Sequence, residues 1–208
     1  MTYIGNYAYT CKLGSLLRKD ESEWLHKMER RNGRVSGYSA TEENRKAWRD
    51  CFRVLRDCAE QLPTEFGRLD VVFEYVLPRH QPGTARAETD AGIRPDVLIV
   101  SNKTVMVLEF KQRSEVFMGH VRQARMYRTR IQKYHTQSIG MNKKTILVLT
   151  CGECISEQHS KVSVRSRDLL SQEIVRLFED APAPHRDINA WLNSDFQVRV
   201  LKQSKQSD

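Results

Sequence analysis

The chain has 208 residues, with 34 Lys and Arg against 26 Asp and Glu and a formal net charge of +8. At 24.2 kDa it is long enough to bury one proper core and too short for two full domains. Apolar residues make up 39% and mean hydropathy is −0.60, which excludes both a membrane-spanning chain and a compositionally disordered one, and a pI near 9.4 favours a polyanionic partner over an acidic protein or a small neutral substrate.

No run approaches the roughly 18 apolar residues a membrane helix needs. The segment Met1 to Tyr7 lacks the basic-then-apolar order of a signal peptide, so a cytoplasmic location is expected. Five cysteines (Cys11, Cys51, Cys58, Cys151, Cys154) are an odd number in such a chain and are expected to be thiols.

Residues 1–38 mix aromatics, glycine and charge around one short helical stretch, Glu21 to Arg31, and read as an N-terminal extension. From Thr41 to Leu62, Ala47, Trp48, Phe52, Leu55, Ala59 and Leu62 recur at three- and four-residue spacing, which predicts an amphipathic helix capped by Ser39 or Thr41 and stopped by Pro63. Three strands follow: Leu69 to Leu77, Asp96 to Val100, and Thr104 to Lys111. Between the first two, Arg79 to Arg94 reads as a long exposed loop. Only Ser101-Asn102-Lys103 separates the second and third, so they should form an antiparallel hairpin, and their continuous apolar character predicts cover on both faces. A helix from Glu115 to Tyr134, a buried strand from Thr145 to Leu149 and a helix from Arg167 to Phe178 complete the pattern. The expected domain spans 39–180, and 181–208 read as a tail or junction, polar from Lys202 to Asp208.

The chemistry concentrates in Pro95-Asp96, at the start of one apolar strand, and Glu109-Phe110-Lys111, at the end of its neighbour. Alternation puts Glu109 and Lys111 on one face with Phe110 turned to the core, and a hairpin brings Asp96 beside Glu109. Two carboxylates converging against a buried sheet are costly unless a cation compensates them, and a hard divalent ion with oxygen ligands suits the pair. A lysine two residues on can orient a nucleophile or offset transition-state charge. Nine basic residues lie between Lys111 and Lys144 against one acid, Glu115, so the whole chain's excess sits beside these residues. Arg122, Arg125 and Lys133 are the candidates for phosphate contacts.

Pro95-Asp96 followed by Glu109-Phe110-Lys111 resembles the defining motif of the PD-(D/E)xK nuclease superfamily, over roughly Thr41 to Thr150. The resemblance implies an α/β fold with a restriction-endonuclease-like core, a mixed central sheet flanked by helices. It also implies magnesium, with manganese able to substitute, held by Asp96, Glu109 and the backbone carbonyl of Phe110, while Lys111 acts with the attacking water. Gln123-Ala124-Arg125-Met126-Tyr127 is similar to the Gln-x-x-x-Tyr element of the RecB-like branch, which adds Gln123 and Tyr127 to the site; four-residue spacing puts both on one helical face.

Many members carry a further acid in the first core helix. Glu43, one turn ahead of Ala47, is the choice here, and Glu74 in the first strand is the rival. Two departures stand out. The first helix lacks the histidine that RecB-like enzymes often carry, and only Cys151 and Cys154 follow the core, where the family's iron–sulfur clusters need three cysteines. The expected activity is metal-dependent hydrolysis of DNA, with RNA as the lesser alternative, in repair, restriction or phage defence, alone or beside a helicase or another defence or repair subunit. The competing expectation is an inactive nucleic-acid-binding or assembly module of the same fold.

Overall fold

The computed structural model describes residues 6–36, 39–78, 92–178 and 182–197. In chain order the elements are β1 (Tyr9–Lys12), α1 (Glu21–Ser36), α2 (Glu42–Gln61), β2 (Asp70–Phe73), β3 (Val97–Val100), β4 (Thr104–Lys111), α3 (Met118–Tyr134), β5 (Asn142–Leu149), β6 (Ser156–His159), β7 (Val162–Ser166), α4 (Leu170–Leu177) and α5 (Ile188–Leu192). The seven strands make one mixed sheet in the order β1-β2-β3-β4-β5-β7-β6. β1 to β4 pair antiparallel, β4, β5 and β7 run parallel, and β6 returns antiparallel along the edge. The protein is α/β, with helices on both sheet faces.

Both faces are covered because the strand side chains are apolar in both directions. Met106, Leu108 and Phe110 of β4 pack with Trp48, Phe52 and Leu55 of α2, Trp24 and Met28 of α1 and Ile174 of α4. Val105 and Val107, pointing the opposite way, pack with Tyr127 and Ile131 of α3 and Trp191 and Leu192 of α5. All four residues of β3 are buried, as expected of a hairpin under two layers. The turn joining β3 to β4 is fixed by Ser101, whose Oγ accepts from the N–H groups of Lys103 (3.2 Å) and Thr104 (2.9 Å).

α2 starts where a side chain can close it. Thr41 is the N-cap and forms a reciprocal capping box with Asn44. Its buried stripe runs through Trp48, Cys51, Phe52, Leu55 and Cys58. Ala47 lies off that stripe and is exposed. α3 begins at Met118, three residues later than the expected Glu115, and the last expected helix opens as a single tight turn at Arg167–Leu169 before α4.

Segments that the sequence sets apart belong to this fold. β1 adds an edge strand with Lys12 paired to Asp70 at 2.7 Å, and Trp24 is buried against Phe52 and Phe73. Among residues 182–197, Trp191 stacks on His135 and donates to Ser138 Oγ (3.1 Å). His135 bonds Tyr75 and Ser138 from its two ring nitrogens at 3.0 and 2.8 Å, and burial depresses its pKa to about 3, so it stays neutral. Most of the expected loop (79–91) and all of Lys202 to Asp208 lie outside the described residues. Among the described residues no helix is long and apolar enough to cross a membrane.

The first expected strand is the one that departs most. It stops at Phe73, because Glu74 takes a left-handed backbone with φ of 52°. Strict alternation would set Tyr75 beside Phe73 on the α2 face; instead Tyr75 joins Val72 and Leu98 on the α3 face. A left-handed glutamate costs about 1–3 kcal/mol and persists only where surrounding contacts hold it. Here the Glu74 N–H donates to the Asp96 carbonyl at 3.1 Å and the Glu74 carboxylate accepts from Trp48 Nε1 at 3.1 Å.

Candidate active site

β3 and β4 are in register with Val97 opposite Leu108, so Asp96 lies one residue before the paired stretch while β4 continues past it through Glu109 to Lys111. That overhang builds the site. The Lys111 carbonyl accepts from the Thr150 N–H on the β5 side (2.9 Å), so the Phe110 N–H and C=O turn to the β3 side, where Asp96 Oδ2 accepts from the Phe110 N–H at 2.7 Å. Asp96 thus takes the place of a missing ladder partner. Glu109, 1% exposed, shares a face with Val105 and Val107, and its Oε1 accepts from Lys111 Nζ at 2.8 Å. Its second oxygen, Oε2, is buried without a hydrogen-bond partner.

The charges are arranged to repel. Burial, then the neighbouring Asp96, pushes the Glu109 pKa up to about 8 against the opposing pull of Lys111. Burial also raises Asp96, partly offset by the Phe110 N–H and Lys111. Glu74 is raised to about 7, first by burial and then by Asp96, with Trp48, Arg94 and Lys111 opposing. Burial works against the charge of Lys111, yet Glu109 and Asp96 outweigh it and hold the ammonium in place. Three acids meet one lysine.

Tyr127 reaches the same centre from α3. Its phenol is raised by burial and then by Glu109, with smaller effects from Asp96 and Glu74, and Gln123 Nε2 donates to its oxygen at 2.8 Å. Asp96, Glu109, Phe110, Lys111, Gln123 and Tyr127 therefore come together. Arg122, Arg125 and Lys133 also share a surface: with Met126, Thr129, Arg130 and Tyr134 they line a groove of about 380 Å³ along the outer side of α3.

Glu43 needs correction. Its place one turn ahead of Ala47 puts it on the exposed side of α2, since the buried stripe passes through Trp48 and Cys51. The acid that senses Asp96 is Glu74, bonded to Trp48 on that stripe. Sequence periodicity does not find this, because a nine-residue strand reading hides the left-handed turn. For the metal-dependent cleavage that the sequence resemblance implies, Glu74→Gln should cut the rate at least tenfold and Glu43→Gln should leave it unchanged, a difference that initial rates of the two variants would expose.

Two other neighbours escape the sequence reading. Cys51, buried on α2, has its thiol pushed well up by burial, then by Asp96, Glu74 and Glu109, so it remains protonated against the acidic cluster. His120, in the first turn of α3, stands three and seven residues before Gln123 and Tyr127 on one helical face. Its pKa is lowered by burial and by Lys111 and Arg113, and its Nδ1 is buried without a partner. Cys151 and Cys154 are exposed free thiols.

Among the described residues no group of three or more His, Cys, Asp or Glu is arranged to share an ion. The donor set is two carboxyls and the main-chain carbonyl of Phe110. That set fits magnesium, which keeps several waters and takes one or two carboxylates from a protein. The unpartnered Glu109 Oε2 is the oxygen such an ion would satisfy. No family model matches the chain, and no curated protein matches it.

Proposed function

We propose that the chain is a magnesium-dependent nuclease that hydrolyses DNA phosphodiester bonds, as the PD-(D/E)xK resemblance implies. The observation that carries this reading is the Asp96–Glu109 pair: two adjoining carboxyls at a sheet end, both raised, with Glu109 Oε2 buried and unpartnered beside Lys111. Such an arrangement destabilises the free protein and is relieved by a cation. Asp96, Glu109 and the Phe110 carbonyl would hold magnesium, which supplies Lewis-acid stabilisation of charge on the scissile phosphate.

The chain's own groups do the remaining work. Lys111 keeps a full positive charge at the rim of the site, where it can donate to the attacking water or to a phosphate oxygen. Gln123 donates to the Tyr127 oxygen, which leaves the Tyr127 hydroxyl proton free to donate toward a phosphate. Glu74, fixed by Trp48 and raised to about 7 by burial and Asp96, would release its proton when a cation binds beside Asp96 and so favour its retention.

The direct test is incubation of the protein with labelled linear and circular DNA, with and without magnesium. Cleavage that requires the metal supports the reading; binding without cleavage would leave the inactive-module alternative. Cutting of the circular form would make it an endonuclease.

The α3 groove carries its own expected result. Replacing Arg122, Arg125 and Lys133 together with alanine should weaken DNA binding and flatten its salt dependence by up to about 0.9 log units per lost contact on duplex. Tyr127→Phe should lower the rate with the salt slope unchanged, since the ring is buried and stays packed against the sheet while only the nonionic contact of the hydroxyl is lost. Titrations of binding against salt separate the two.

A further inference from the structure

At the opposite end of the sheet lies a second basic cavity, of about 420 Å³, where β5 and β7 begin. Five of its ten lining residues are basic (Arg128, Lys143, Lys144, Lys161, Arg176) and none is acidic. Two observations mark it as more than a solvated patch. Thr145, only 2% exposed, lines the cavity with its Oγ1 buried and without a hydrogen-bond partner. Arg128 is half-buried, spends its Nε on the Lys143 carbonyl at 2.9 Å, and has its pKa lowered by burial, with no carboxylate among the described residues opposing. Among the described residues, Glu173, on the helix that carries Arg176, is already held by Arg165 at 3.0 Å and Arg176 at 2.6 Å.

A partly buried guanidinium with no acid beside it among the described residues and a buried hydroxyl without an acceptor are both relieved by one tetrahedral oxyanion. We propose that this cavity binds a phosphate group of the nucleic-acid backbone, with Arg128 and Thr145 as its inner donors and Lys161 at its mouth. This rests on the nuclease reading for the identity of the ligand. β4 and β5 run parallel, with Thr104 opposite Asn142 at the cavity end and Lys111 opposite Leu149 at the site end. Seven residue steps at about 3.3 Å separate the two ends by about 23 Å. That distance corresponds to six or seven phosphates along one strand of a duplex, at about 3.4 Å each. The α3 groove, lined from Arg122 to Tyr134, runs along the helix whose Arg128 faces the cavity. A long strand therefore engages both ends, and a short one only the catalytic end.

The test is fluorescence anisotropy in metal-free buffer with a trinucleotide and a 20-mer of oligothymidylate, for the wild type, Arg128→Gln, Thr145→Val and Lys161→Ala. Lys161 is exposed and Thr145→Val preserves shape, so both variants should fold, which thermal melts would verify. The ratio of 20-mer to trinucleotide affinity is expected to fall three- to tenfold in each variant. The salt slope for the 20-mer should drop by about 0.7 in the two charge variants. An unchanged ratio and slope would overturn the proposal. So would stabilisation of the wild type by inorganic phosphate, lost in Arg128→Gln, with 20-mer binding untouched, since the cavity would then serve a free anion. Absence of cleavage by the wild type alongside a reduced slope would reject the nuclease reading and leave the cavity standing.

Discussion

Replacing Glu109 with glutamine is expected to abolish magnesium-dependent cleavage, by on the order of 10³-fold or more, equivalent to about 4 kcal/mol of barrier. The same change should make the metal-free protein more stable at pH 8. Glu109 has a folded pKa of about 8 against an ordinary 4.5, so the folded chain retains a proton that the unfolded chain releases. The unfolded state binds fewer protons between those values, and stability falls as pH rises through them. Glu74, at about 7, and Asp96 shift in the same direction. Each pKa unit corresponds to about 1.4 kcal/mol, so metal-free wild type should lose several degrees of Tm between pH 5.5 and 8.5, and Glu109→Gln should lose less. This window lies above the range of Glu21 and Asp168, whose carboxyls are held low by hydrogen bonds from Arg53 and Ser166. Melts in the presence of a chelator measure both quantities. Wild-type stability that rises toward pH 8.5 would mean that the carboxyls are not destabilised as described.

Lys111→Ala should leave metal affinity within a few-fold and reduce the rate by about 10²–10³-fold, because in the proposed reaction its ammonium would offset the charge that develops. Removing it also leaves Glu109 without its 2.8 Å partner, so the Glu109 pKa should climb further. Cleavage by the variant should therefore recover partly with rising pH. Calorimetry showing lost magnesium affinity, with the rate restored at saturating metal, would make Lys111 a structural neighbour of the carboxyls instead.

The central hairpin was legible because β3 and β4 are apolar on consecutive residues and only Ser101-Asn102-Lys103 separates them. The same holds for α2, where the three- and four-residue spacing of Trp48, Phe52 and Leu55 is strong. β1 carries too little alternation to stand out. It exists because β2 offers it a free edge, with Thr10 Oγ1 donating to the Val71 carbonyl at 3.0 Å. β6 and β7 were invisible for a related reason: only Val162 and Val164 alternate, and Ser160 closes the hairpin in a left-handed conformation that no glycine or asparagine signals. α5 is five residues long and owes its place to Trp191 packing on Tyr75 and His135.

Within the candidate site, the residues that short spacing or the β3–β4 hairpin sets side by side do lie together. Glu109, Phe110 and Lys111 are consecutive, and Gln123 and Tyr127 lie one helical turn apart. The identity of the third acid depends instead on one backbone angle at Glu74 and on Trp48, twenty-six residues before it. The cavity at the far end is assembled from α3, β5, β7 and α4, with no local pattern in any of them.

In the proposed function the Asp96–Glu109 pair holds a divalent cation. This is tested most directly by titrating magnesium into the wild type and Glu109→Gln in buffers of differing ionisation enthalpy at pH 7. A carboxyl with a pKa of about 8 is largely protonated at that pH and must lose its proton to ligate a metal. The expected result is saturable binding to the wild type with net proton release, and loss of both in Glu109→Gln. Equal binding by the two proteins, or binding without proton release, would contradict it.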